Sequence, residues 1–104
     1  MHLVRMHFSA YNCPVRYEWD EAKRAANLQK HGIDFADAVA VFEDPFALTV
    51  ADTGKHGEQR WRTLGTDAYA RLLVAVWTER GVDVIRIVSS RRATPGEAHH
   101  YREG

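Results

Sequence analysis

The spacing of apolar residues changes at Asp44-Pro45, and that change limits the fold more than any other feature of the chain. Before it, Phe35, Ala38, Val39 and Phe42 recur at i, i+3, i+4 and i+7, the stripe of one helix face. After it, Phe46, Leu48 and Val50 alternate with smaller residues, the period of a strand with one buried side. Proline restricts the residue before it to extended backbone, so Asp44-Pro45 ends the helical part. A chain with both periods in separate blocks belongs to the α+β class.

The remaining elements follow from local chemistry. Residues 15–19 read as a short strand, after which Asp20 has the side chain to cap a helix. Residues 21–31 are rich in Ala, Lys, Arg, Leu and Gln, and Gly32 stands where a left-handed C′ residue belongs. Asp34 caps the second helix. Residues 58–64 alternate, Gly65-Thr66-Asp67 reads as a turn, residues 71–78 form the most apolar strand, Arg80-Gly81 reverses the chain, and residues 84–90 form the last strand. Thr94-Pro95-Gly96-Glu97 has the pattern of a capping box with proline at N1, so a short C-terminal helix follows. The expected order is β-α-α-β-β-β-β-α. Short links between the later strands favour an antiparallel sheet, with the two N-terminal helices on one face and the other left for solvent or a ligand. Residues 1–14 lack periodicity and read as a flexible arm, leaving residues 15–104 as a single domain.

Bulk properties exclude several classes. The longest apolar run is too short to span a bilayer, and the N-terminus lacks the apolar region of a secretory signal, so no membrane association is expected. Cys13 is the single cysteine, which rules out an intrachain disulfide and suits a cytoplasmic protein. There is no glycine-rich phosphate loop, no GxSxG and no HxxxH or paired Cys/His pattern, so neither a cofactor nor a metal is expected. The net charge of zero hides an asymmetry. Residues 17–52 carry eight acids and three bases, whereas residues 53–104 carry six acids and nine bases. All but Lys55 of those nine are arginine, whose planar fork grips phosphate oxygens in pairs.

Several residues are candidates for chemistry. Arg86 interrupts an apolar strand, and alternation sets it opposite Ile85 and Ile87, on the uncovered side of the sheet if the isoleucines face the helices. Arg60 and Arg62 share one face of their strand, and Arg91 and Arg92 follow the last one. Such a cluster would hold an RNA backbone and stabilise the charge of a phosphoryl transition state. His31, beside Lys30 at the end of the first helix, is read either as a proton carrier raised in pKa by the helix terminus or as a simple partner of the helix end. Glu58 is a candidate base or an ion-pair partner of Arg60. Tyr101 either assists near the arginines or packs in the core. Trp61, flanked by Arg60 and Arg62, is the one tryptophan placed to stack on a base.

The segment YEWDEAKRAANLQKHGIDFADAVAVFED resembles the first half of the BrnT family, with its aromatic-Trp-Asp opening, a Lys, an Asn and Lys-His-Gly. The EQRW segment, Gly65 and the closing RIVSSRRATPGEAHHY are similar to the family's second half, although Ser89-Ser90-Arg91 stands where the family often has Ser-Ala-Arg. The likeness runs from about Val15 to Tyr101. It implies a RelE-like fold and the ribonuclease toxin of a type II toxin–antitoxin pair, acting on RNA to arrest growth. It also implies a BrnA-type antitoxin partner, through which operator DNA is bound. Carried over by position, His31, Glu58, Arg60, Arg86 and Arg91 are the catalytic candidates. Lys30, Arg62, Arg92 and Tyr101 are the RNA-binding ones. A non-catalytic subunit of the same fold, binding an antitoxin and aiding promoter repression, is the alternative.

Overall fold

The computed structural model describes residues 2–8, 14–52 and 57–104, with side chains from residue 15 onward. A six-stranded sheet runs in the order β1-β2-β6-β5-β4-β3. Its strands are β1 (His2–Phe8), β2 (Pro14–Asp20), β3 (Leu48–Asp52), β4 (Arg60–Thr66), β5 (Leu72–Glu79) and β6 (Val84–Arg92). The segment from β3 to β6 is the expected antiparallel meander, and β2 joins it in parallel beside the start of β6. The expectation of an arm over residues 1–14 differs from the structure at β1, which pairs antiparallel with β2; residues 1 and 9–13 lie outside the described residues.

Helix α1 (Glu21–His31) begins and ends as its sequence predicts. Asp20 accepts from the Ala22 and Lys23 amides, and Gly32 closes the helix at φ 73° with its N–H on the Leu28 carbonyl. The second helix is shorter than its stripe suggests: α2 (Phe35–Ala38) tightens into a 3₁₀ segment, Val39–Glu43. That segment crosses β4 closely enough that a Cβ at Gly65 would sit 3.0 Å from the Val41 carbonyl oxygen. Gly65 therefore belongs to a strand, not to the turn read from the sequence. The turn comes later, where the buried Asp67 carboxylate accepts from the Tyr69 and Arg71 amides and from Arg71 Nε.

Tyr17, Trp19, Phe35, Val39 and Ile87 form the main core, between the sheet and α2 with the 3₁₀ segment that follows it. Trp61 faces this side as well, stacked on Trp77, which meets Phe42 edge-on. The reading of Trp61 as a base-stacking platform is thus corrected: alternation sends it to the helix side, opposite its arginine neighbours.

Helix α1 is fastened by a polar contact. The buried Asn27 amide donates to the Ile33 and Ser90 carbonyls at 3.0 and 2.7 Å and accepts the Ser90 N–H at 3.1 Å. The register pairs β2 with β6 only at Val84 to Arg86, and further along β6 the Asn27 side chain supplies the bonds a neighbouring strand would have made. Helix α3 (Pro95–Glu103) opens with the expected capping box and lies over the other side of the sheet, which is therefore only partly uncovered. It buries no residue of its own and is held by polar ties near its two ends. Arg91 forms a two-pronged pair with Glu97 at 2.8 and 2.9 Å, and the Tyr101 hydroxyl donates to Asp44 at 2.5 Å.

Two expected outcomes follow. Asn27→Ala leaves three buried backbone groups without partners and lowers the unfolding free energy by about 2–4 kcal/mol, measured by urea titration. The Arg91 guanidinium holds the Glu97 carboxyl at about 2, below its ordinary 4.5. A lowered acid stabilises the fold fully above its unfolded pKa and loses that contribution as pH falls toward the folded one. Thermal melts should show stability falling between pH 4.5 and about 2. Glu97→Gln removes on the order of 2 kcal/mol at neutral pH and flattens that part of the profile.

Candidate functional site

Strand register assigns each side chain of the sheet to a face. Opposed pairs Asp52/Arg60, Val50/Arg62 and Leu48/Leu64 tie β3 to β4. Arg62/Val76 and Leu64/Val74 continue onto β5, and Thr78/Arg86, Val76/Ser89 and Val74/Arg91 carry the same face onto β6. All these residues point away from α1 and α2. Three rows cross the open face: Asp52, Arg60, Thr78, Arg86 and Glu18; then Val50, Arg62, Val76 and Ser89; then Leu48, Leu64, Val74 and Arg91. Arg60 and Arg86 lie two strand spacings apart, roughly 10 Å between Cα atoms, within joint reach of one phosphate.

A bulge in β6 makes this possible. Val76 faces Ser89 while Trp77 faces Ile87, so Val88 is an extra residue. Without it, strict alternation would put Ser90 and Arg92 on the face of Arg86. With it, Ser90 turns to Asn27 on the helix side and Arg91 joins the open face. Sequence alone misses this, because period-two alternation carries no sign of a single inserted residue.

The arginines differ in how they are engaged. Arg62 and Arg86 make no hydrogen bond or ion pair among the described residues, and Arg62 has a buried Nε without an acceptor. Arg60 makes a long pair with Glu58 at 3.4 Å, and Glu58 also lies 4.0 Å from Arg80. Glu58 is therefore an ion-pair partner placed at the entry of β4, next to the arginine rows. Arg91 is committed to Glu97. Glu18 and Asp52, at the ends of the first row, each have a partner.

Other expected site residues stand elsewhere. Arg92 lies opposite Leu73, on the face away from Arg91. Lys30 and His31 end α1, and His31 makes no hydrogen bond or ion pair among the described residues. Sheet register does not bring either of them to the arginine rows. Tyr101 is not core but ties α3 to Asp44, and this hydrogen bond raises its pKa and keeps the hydroxyl protonated. Burial pushes Asp44 upward, but hydrogen bonds from Tyr101, Thr66 and the Phe46 amide outweigh it and leave the carboxyl low. From the sequence, Asp44 is only the end of a helix. Its role as the tether of α3 has no sequence signal, since its partners lie 22 and 57 residues away.

Beside the arginines, α3 and the sheet enclose a cleft of about 480 Å3. Its floor is Leu48, Val50, Leu64 and Val74, and Glu97 and His100 form the α3 wall. Arg62 closes the end nearest Arg60. Among the described residues no three His, Cys, Asp or Glu side chains gather as metal ligands, and no helix is long and apolar enough to cross a membrane.

Comparison with known proteins gives this face a context. The sequence profile described as ribonuclease toxin, BrnT, of type II toxin–antitoxin system matches residues 19–97. The 1.1 Å crystal structure of the Brucella abortus ribonuclease toxin BrnT is similar, with a TM-score of 0.55 and 26% identity, over 73% of this chain and 92% of that one. No protein of curated function matches. The profile spans most of the chain, from the end of β2 through α1, α2 and strands β3 to β6 into α3, and the chain therefore belongs to the BrnT family of type II toxin–antitoxin ribonuclease toxins.

Proposed function

We propose that this chain is a metal-independent endoribonuclease that cuts cytoplasmic RNA, arrests growth and is silenced by a BrnA-type antitoxin, with operator DNA engaged only through that complex. The observation that carries the reading is the grouping of Arg60, Arg62 and Arg86 on one open sheet face, two of them without an acidic partner. Unpaired guanidinium groups at close spacing favour a dianionic phosphorane over a monoanionic diester, which is the differential binding that speeds a reaction.

In the proposed reaction the ribose 2′-oxygen attacks phosphorus and the bond to the 5′-oxygen breaks. The products are a 2′,3′-cyclic phosphate and a 5′-hydroxyl. The proton leaving the 2′-hydroxyl goes to a base, and one is returned to the departing 5′-oxygen. Arg60 and Arg86 hold the phosphate. Glu58, two residues before Arg60, is better placed for proton transfer than His31, which ends a helix of the other layer. Arg91 supports the site through α3, and Lys30, Arg92 and Tyr101 contribute at most at its margins.

Purified chain incubated with RNA in excess EDTA should give 5′-hydroxyl fragments, and substitution of 2′-deoxyribose at the cut should block cleavage. Loss of cutting under chelation would overturn the metal-free form. Arg86→Ala should lower kcat/KM about 100-fold or more with its melting temperature unchanged within a few degrees. Wild-type chain that neither cuts RNA nor arrests growth when expressed alone would favour a non-catalytic antitoxin-binding subunit.

A further inference from the structure

The cleft under α3 has no part in the reaction just described, yet it opens onto the same arginines. We propose that it is a nucleobase subsite, holding the base of a nucleotide adjacent to the phosphate bound by Arg60 and Arg86. The inference rests on the RNA-cleaving reading above and names where that RNA lies.

Three observations carry it. The cleft is the size of a small-molecule site, about 300–1,000 Å3 being usual, and has the composition of one: an apolar floor and few polar groups. Leu48, Val50, Leu64 and Val74 present flat apolar surface to the face of a base. Its charge also suits a polyanion. The one acid in its wall, Glu97, is neutralised by two bonds from Arg91, whereas Arg62 is a cation with a buried donor left unsatisfied. Finally, the cleft is in register with the phosphate site. Arg62 lies one strand repeat from Arg60, about 6.8 Å, a distance that a single extended nucleotide spans. A base splayed from a single strand could enter with Arg62 beside its plane and His100 at its edge.

An apolar side chain from a protein partner would meet the same floor, but it offers nothing to Arg62 or to the Arg60 and Arg86 guanidinium groups beyond it. The cations favour the nucleic acid.

The test uses an uncuttable 2′-O-methyl RNA hexamer and the same hexamer with one abasic nucleotide, titrated against three proteins. Val50 is 53% exposed, so Val50→Trp fills the cleft without disturbing the core. His100→Ala removes an exposed wall residue and serves as the second variant, and thermal melts confirm that both fold. Wild type should bind the intact hexamer about tenfold more tightly than the best-placed abasic one. Val50→Trp should bind both equally, at the weaker level, and His100→Ala should narrow the difference. Equal losses in all three proteins, or no effect of Val50→Trp while wild type binds and cuts RNA, would overturn the cleft proposal alone. Wild type that neither binds nor cuts would overturn it together with the ribonuclease reading. Retention of RNA binding by Val50→Trp with loss of antitoxin binding would assign the cleft to a protein segment and overturn the proposal as well.

Discussion

The carboxamide of Asn27 on the backbone of Ser90 is the contact on which the working face depends. Strand β6 must change its alternation after Arg86, and the bulge at Val88 does so at the cost of a disturbed ladder. Beyond the bulge, Ser90 needs partners for both its backbone groups on the edge that β2 no longer covers. Asn27 supplies them and binds Ile33 as well, so one side chain fixes α1, the α1–α2 link and the register of β6. An amide can do this because it both donates and accepts; a carboxylate would lose both carbonyl contacts.

With β6 set in this way, the two sides of the sheet divide the work. One side buries Trp19, Phe35, Val39 and Ile87 and provides most of the apolar stabilisation. The other keeps guanidinium groups above a thin apolar layer, and α3 is laid across one end of it. That helix is held by ion pairing and hydrogen bonding at Glu97 and Tyr101, not by burial. The consequence is a candidate site whose cationic part is built on the interior strands β4 and β6, and whose neighbouring cleft has a wall fixed mainly by two polar ties.

Much of this was legible in the sequence. Asp20, Gly32, Asp34 and the Thr94–Glu97 box mark helix ends by local chemistry, and the structure places caps at each. Alternation correctly groups Arg60 with Arg62 and sets Arg86 against Ile85 and Ile87. What the sequence hid was non-local. The bulge exchanges Ser90 and Arg91 between faces without altering composition. Trp61 sits in an arginine-flanked segment but turns inward to Trp77. Gly65 looks like a turn residue until the 3₁₀ segment is seen to press on it. The commitment of Arg91 to Glu97 arises only once α3 folds back.

The account stands on one claim, that RNA meets the chain across β4, β5 and β6 on the side away from α1 and α2. A crystal structure with a 2′-O-methyl oligonucleotide would test it most directly. The account predicts a phosphate within hydrogen-bonding distance of both Arg60 and Arg86. RNA seated against α1 and His31, with those two arginines facing solvent, would contradict it.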